Sequence, residues 1–322
     1  MGALLSIENL SVAYWTAEGW LPAVREVDLA VQAGEVVGIA GESGCGKSTL
    51  ASTVLRLQPA DARVSGEVLV DGEDVLSMRW GQLRALRWAK ASIVFQGALH
   101  SLNPVHRVGD QIAEPILLHE PDVGRDEADE RVGDLLEQVG LPRTRSRAYP
   151  HQLSGGQRQR VMVAMALACR PRLVIADEPT TALDVMVQAQ ILDLLSQLVR
   201  ELGVGMVIIS HDLSVLADVC DRVAVMYAGR IVETARAEDL FGSPLHPYSA
   251  ALSDAFPRIG DPAARYAPSG LAGDPPDLRD LPAGCSFRPR CPRAVAECAQ
   301  QEPPLVEIVA GRSAACIRVG EP

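Results

Sequence analysis

The chain has 322 residues, 48% of them hydrophobic, and a formal net charge of −11. That size holds one large domain with an extension, or two domains, with enough apolar surface for a real core. The acidic balance disfavours a non-specific grip on nucleic acid, which needs a basic surface or stripe, and no apolar run is long enough to span a bilayer.

The N-terminus shows no basic region followed by an apolar core, so no secretory signal is expected, and a membrane role has to come through a partner. Seven cysteines, an odd number, argue in such a chain for reduced thiols or a metal site over a disulfide framework.

The first chemical motif lies between a strand and a helix. Residues 35–41 (EVVGIAG) read as a buried strand, and residues 47–57 as a helix with Leu50, Val54 and Leu57 on one face. Between them GESGCGKS, residues 41–48, fits G-x-x-x-x-G-K-[ST]. A phosphate chain has to lie against backbone N–H groups there, and a Cβ would hold it away. The helix start adds free donors and the favourable end of a dipole. Lys47 is placed to reach the outer phosphates and Ser48 to hold Mg²⁺. Gly41, Glu42, Ser43, Gly44, Cys45, Gly46, Lys47, Ser48 and Thr49 form the expected ATP-binding segment; the bland alternative is an ordinary glycine-rich turn.

Further along, residues 65–75 read as a hairpin turning at Asp71-Gly72. Residues 126–141 read as an amphipathic helix with an acidic start and Gly140 near its end. LSGGQ, residues 153–157, precedes a helix that Ser154 can cap, while Gly155-Gly156 exposes N–H groups to an anion. LVIADE, residues 173–178, ends a buried strand in two acids, which are costly there unless used. Asp177 is placed to join the Mg²⁺ shell, and Glu178 to orient and deprotonate an attacking water. A helix over 185–202 separates this strand from a second apolar strand over 204–212, which suggests a sheet covered on both faces. A hairpin over 222–234 turns at Ala228-Gly229. The pattern is α/β. From Pro244 onward, 13 of the 22 prolines fall in 79 residues, so the tail is expected to be mostly turns and loops, without an ordinary core and in need of a staple.

Residues 41–48, 153–157 and 173–178, in this order, resemble the ATP-binding subunit of an ATP-binding-cassette (ABC) transporter, over residues 4–235. The resemblance implies an α/β ABC nucleotide-binding domain over residues 1–243. It would have a phosphate-loop core, an antiparallel β subdomain and a helical subdomain near 97–159, followed by a loop-rich extension over 244–322. Tyr14 matches the aromatic that stacks on adenine, with Trp15 as a neighbouring competitor. Gln96 matches the glutamine that senses Mg²⁺ and water, Ala182-Leu183-Asp184 the segment that crosses a dimer interface, and His211 the histidine at the γ-phosphate. Two such domains pack head to tail, so Ser154, Gly155, Gly156 and Gln157 would serve the partner's ATP. The implied catalytic set is Glu178, His211, Gln96 and Lys47, with Ser48, Gln96 and Asp177 around Mg²⁺. The implied partners are a second ATPase subunit, either a sister chain or a copy, and two membrane permease subunits. An extracytoplasmic substrate-binding protein is an indirect partner, and the location is the cytoplasmic face of the membrane. The enzyme class is an ATP hydrolase acting as a translocase.

SLNP (101–104) and PLHPYSAAL (244–252) resemble the branch that drives dipeptide, oligopeptide and nickel importers. Cys285, Cys291, Cys298 and Cys316 follow C-x5-C-x6-C-x17-C, similar to the cysteine-rich region of that branch, where four thiolates can hold a [4Fe–4S] cluster. Zn²⁺ is the competitor, although the spacing is not two C-x2-C pairs. Two features depart from the pattern. Gly97-Ala98-Leu99-His100 stands where Asp-Pro is usual, and Cys45 stands where serine is common. A thiol exposed at Cys45 would be open to alkylation that ATP blocks. Nickel or another solute is the alternative cargo. A soluble ABC-type ATPase is the alternative class; a sustained coiled coil or a second cassette would mark it, and the sequence has neither.

Overall fold

We describe a computed structural model of the chain, covering residues 2–95, 101–181, 183–211, 213–255, 271 and 273–319. In chain order it forms β1 (Leu5–Thr16), β2 (Gly19–Val31), β3 (Val36–Ala40), α1 (Lys47–Val54), β4 (Arg63–Val70), β5 (Glu73–Asp74), α2 (Trp80–Leu86) and β6 (Ala91–Val94). There follow α3 (Val108–His119), α4 (Arg125–Gln138), α5 (Gly155–Leu167), β7 (Leu173–Asp177), α6 (Val185–Leu202), β8 (Gly205–Ser210), α7 (Leu213–Val219), β9 (Arg222–Tyr227) and β10 (Arg230–Arg236). The tail adds α8 (Ala237–Gly242), α9 (Pro247–Ala255), β11 (Val306–Val309) and β12 (Arg312–Ala314). Two compact units result. One comprises Met1–Leu5, Val31–Glu35 and Leu69–Ile208; the other comprises Ser6–Ala30, Val36–Val68 and Ile209–Pro322.

In the first unit, β6 and β7 pair in parallel with Ile93 opposite Ile175, and β8 lies next to β7. Every residue of β7 is buried, as a continuous apolar run predicts for a strand covered on both faces. Val108, Ile112 and Ile116 of α3, Val132 and Leu136 of α4, and Val163 and Leu167 of α5 are buried at helical spacing. Each such side chain contributes roughly 1.5–3 kcal/mol on burial. The Asp71-Gly72 hairpin is present between β4 and β5, with φ of 52° and 78° at its two turn residues. Both are left-handed, as a two-residue turn between twisted strands needs. Helix α4 stops at Gln138, short of the expected 141. Gly140, at φ 74°, turns the chain, and the Leu141 N–H donates to Leu136 O at 2.8 Å. That closure satisfies a carbonyl the helix would otherwise leave open.

In the second unit, β3 pairs in parallel with β9, and the sheet continues as β9-β10-β12-β11. The expected hairpin at Ala228-Gly229 joins β9 to β10, again with two left-handed residues. Helix α1 ends at Val54, not Leu57, because Arg56 takes φ 47° and the Leu57 N–H closes back on Ser52 O at 3.0 Å.

The expectation that the tail lacks an ordinary core is corrected. Tyr248 and Phe287 are 0% and 2% exposed and pack with Tyr227 of β9 at ring separations of 4.6 and 5.2 Å. Strand β12 joins the antiparallel ladder of β10, with Glu233 opposite Ala314. The tail has an apolar core because it shares that of the second unit, and its periodicity is invisible because the contributing residues come singly from a short helix, a loop and a three-residue strand.

Glu302 ties the tail to the same unit. It accepts from Arg25 and Arg230, the latter at 3.1 Å, and from the Ser286 hydroxyl at 2.5 Å. Burial pushes its carboxyl up, but Ser286, Arg25 and Arg230 outweigh that and hold it below the usual range. A depressed carboxylate contributes stability above its unfolded pKa, about 4.3, and loses it as the pH falls through the folded value. Glu302→Gln should therefore cost about 1–3 kcal/mol at pH 7.5. Thermal unfolding should show the gap to the unaltered chain narrowing as the pH drops below that carboxylate value; a constant gap would assign the loss to packing instead of charge.

Candidate nucleotide site

The loop from β3 to α1 is held from behind by backbone. A Cβ on Gly41, at φ 150°, would sit 2.2 Å from Met226 O; one on Gly46, at φ 108°, would sit 2.2 Å from Ala23 O. A Cβ on Gly44, at φ 80°, meets nothing within 4 Å. The glycines at 41 and 46 are thus demanded by packing, while the one at 44 is needed for its left-handed backbone. Gly229 links this loop to β2: its N–H donates to Cys45 O at 3.0 Å, and its carbonyl accepts from the Arg25 N–H at 2.8 Å. Gly46 stands at the N-cap of α1 and offers the first-turn N–H groups no side-chain acceptor. The helix start keeps its donors for an anion.

Lys47 is buried, and its Nζ donates to Gly41 O at 2.7 Å and Glu42 O at 2.8 Å. It braces the loop through carbonyls on the loop's own entry. The Tyr14 hydroxyl donates to Thr49 Oγ1 at 3.4 Å, so the aromatic stands beside the start of α1. Trp15 is 60% exposed and packs on Trp20 at 5.2 Å. Alternation along β1 sends the two side chains to opposite faces, which leaves Tyr14 on the loop's side. His211, also of this unit, follows β8 and is exposed.

Cys45 departs from the exposed thiol considered above. It is 6% exposed, and burial pushes its pKa up, against the pull of the nearby Lys47. A buried, protonated thiol is inert.

The phosphate loop has further partners that the sequence did not announce. The Glu42 carboxylate accepts both arms of the Arg290 guanidinium, at 2.6 and 2.9 Å, and the Glu42 N–H donates to the Tyr248 hydroxyl at 2.9 Å. Both partners lie more than 200 residues away, and no local pattern signals such a contact.

In the first unit, β7 delivers Asp177 and Glu178. Asp177 is buried and Glu178 half-buried. Glu178 takes φ 44°, a strained backbone for a residue with a Cβ, of the kind that gathers at functional sites. The Thr181 hydroxyl donates to its Oε2 at 2.9 Å and fixes its orientation. Asp184 caps α6, accepting from the Val187 N–H at 3.0 Å.

Ser154 and Gln157 form a reciprocal capping box at the start of α5: the Ser154 N–H donates to Gln157 Oε1 at 3.1 Å, and the Gln157 N–H to Ser154 Oγ at 3.3 Å. A Cβ on Gly156 would meet Val187 Cγ1 at 2.5 Å, and one on Gly155 would meet Leu183 at 3.3 Å. The structure therefore brings LSGGQ against the segment around Asp184, as close packing of α5 on α6. Gln96 and Ala182 lie outside the described residues.

Cys285, Cys291, Cys298 and Cys316 line one cavity of ≈ 20 Å³, with Arg293 and Arg318 beside them. Burial pushes the Cys285 thiol up to about 11 and raises Cys291 and Cys316. Among the described residues, no three metal-binding side chains stand close enough to hold an ion. The four cysteines share the lining of one cavity and are of the donor type that cysteine-only ligation uses, a ligation that itself removes the thiol protons, but their spacing here is not that of a formed site.

Residues 24–181 match the family described as "ABC transporter", and residues 232–298 match "Oligopeptide/dipeptide transporter, C-terminal region". The oligopeptide transport ATP-binding protein OppD of Escherichia coli (strain K12) is 46% identical over 318 residues, which cover 98% of this chain and 93% of that protein. The chain belongs to the ABC transporter family. A probable peptide ABC transporter ATP-binding protein, y4tR of Sinorhizobium fredii, is 45% identical over 322 residues, covering 99% of this chain and 96% of that one. Among solved structures, the dimeric ATP-binding cassette MJ0796 bound to ADP and Pi is 29% identical, with a TM-score of 0.66, covering 72% of this chain and 98% of that chain. The α/β architecture with antiparallel and helical parts is that of the ABC cassettes, and the family's activity is ATP hydrolysis. Among the described residues, no helix is long and apolar enough to cross a membrane.

Iodoacetamide at pH 8, without nucleotide, should leave Cys45 unmodified in the folded chain and label it in urea, as read by mass spectrometry of the peptide that carries it. Labelling of the folded chain that MgATP prevents would restore the exposed-thiol reading.

Proposed function

We propose that this chain is the ATP-hydrolysing subunit of an importer of di- and oligopeptides. The observation that supports it best is the 46% identity to OppD along 98% of the chain, through the C-terminal region as well as the cassette. In this reading Tyr14 stacks on adenine, and residues 41–49 wrap the phosphates with backbone N–H groups. Lys47 turns from Gly41 O and Glu42 O to the outer phosphates. Ser48, Asp177 and Gln96 surround Mg²⁺. Glu178 takes a proton from the attacking water while His211 and Gln96 hold the γ-phosphate and water in place.

The exposed Ser154, with Gly155, Gly156 and Gln157, faces the ATP of a second cassette packed head to tail, and Asp184 lies in that interface. The second cassette is a sister subunit or a copy of this chain. Closure on two ATP molecules and reopening after hydrolysis drive two permease subunits, which hold the chain at the cytoplasmic face of the membrane. An extracytoplasmic binding protein delivers cargo to those permeases. Residues 1–243 act as the cassette, with a helical subdomain near 97–159, and residues 244–322 as the extension. Cys285, Cys291, Cys298 and Cys316 hold a [4Fe–4S] cluster as a structural staple, with Zn²⁺ as the competitor. The four thiols around one cavity support that assignment.

In a complex with its permeases and partner cassette, peptide with its binding protein should stimulate ATP turnover. Glu178→Gln should cut that turnover by roughly 100-fold or more while leaving MgATP binding intact. Stimulation by nickel and not by peptide would overturn the cargo; full turnover in the variant would overturn the role of Glu178. Separately, the chain purified without oxygen should carry iron and acid-labile sulfide in matching amounts, both lost in Cys291→Ser. Zinc alone, or no metal, would overturn the cluster.

A further inference from the structure

All three polar groups of Glu42 are engaged. Its carbonyl accepts from Lys47 Nζ, its N–H donates to Tyr248 Oη at 2.9 Å, and its carboxylate is forked by Arg290. The Arg290 side chain is only 6% exposed and that of Glu42 21% exposed, so the pair lies largely out of water. A bidentate pair fixes direction as well as distance. Tyr248 cannot shift to follow a moving loop: it is fully buried against Tyr227 and Phe287, and its own N–H donates to His246 Nδ1 at 3.0 Å. His246 and Leu245 in turn donate their N–H groups to the buried Glu233 at 2.8 Å each. Arg290 is equally set. It ends the short turn Arg288–Arg290, its N–H donates to Phe287 O at 3.0 Å, and Cys291 follows directly.

Glu42 stands at the second position of the phosphate loop. Its carbonyl is one of the two that Lys47 rests on, and its neighbour Gly41 already abuts Met226 O. Nothing in the catalytic assignment above requires an acid at 42, nor an arginine or tyrosine from the tail beside it. We propose that Arg290 and Tyr248 are positioning residues for the nucleotide: through Glu42 they hold the phosphate loop in its binding conformation, so that ATP affinity depends on the cysteine-bearing extension. A loop held in place beforehand loses less freedom when a phosphate chain binds. Because Arg290 and Cys291 share one turn, a change that loosens Cys291 also loosens the guanidinium.

The test uses the full chain and calorimetric titration with the magnesium complex of a non-hydrolysable ATP analogue, alongside thermal unfolding. Arg290→Met should raise Kd by about tenfold, equivalent to about 1.4 kcal/mol. Tyr248→Phe, which keeps the ring and removes only the acceptor for the Glu42 N–H, should raise it by a smaller factor with little change in Tm. In Arg290→Met, adding Glu42→Gln should raise Kd by less than it does in the unaltered chain, because both changes cut the same link. Cys291→Ser should raise Kd, and should add less in the Arg290→Met background. For steady-state ATP turnover by Arg290→Met and Tyr248→Phe, KM should rise by a larger factor than kcat falls. If Tm falls in these variants but Kd does not move, the residues are structural only and the proposal fails. It also fails if Tyr248→Phe binds as the unaltered chain does, or if Cys291→Ser and Arg290→Met add fully.

Discussion

The structure turns on the conformation of one loop that has almost no freedom to be otherwise. Met226 O and Ala23 O stand 2.2 Å from where side chains at 41 and 46 would begin, so the backbone of β9 and β2 defines the path of the phosphate loop. The Gly229 N–H and carbonyl tie the same loop to β2 through Cys45 and Arg25. In the proposed function a nucleotide would meet N–H groups that other strands have already arranged. Rigid scaffolding behind a binding loop is what lets backbone donors act without reorganising when charge arrives.

The same economy appears at LSGGQ. Ser154 and Gln157 satisfy each other at the start of α5, and Gly156 is small because Val187 is close. Capping and packing explain the motif's residues within one chain, and neither conflicts with a role toward a second nucleotide. The exposed face of a capped helix start still presents its N–H groups. Glu178 differs, because its left-handed backbone is a cost that the cap of α6 does not require.

The tail is where composition misled. Proline content suggested loops without an ordinary core, and loops are largely what is there. They are nevertheless nailed to the cassette by an aromatic cluster, a strand pairing and the Glu302 network. Density of proline reports the lack of regular ladders and says little about burial, since irregular segments also bury large side chains when each lands on a pre-existing surface.

Much of the fold and the site was legible in the chain of residues. β3, β7 and β8 announced themselves as apolar runs, the two hairpins by their Asp71-Gly72 and Ala228-Gly229 turns, and the phosphate loop as glycines before Lys47-Ser48, because each depends on neighbours along the chain. Helix ends were less legible, since Arg56 and Gly140 stop α1 and α4 by turns that compete closely with another residue of helix. Only the tertiary structure decided that Cys45 is buried, that Gly156 answers to Val187, and that Arg290 and Tyr248 reach Glu42. Each of those is set by the meeting of segments far apart in sequence, and periodicity and spacing carry no record of what lies opposite.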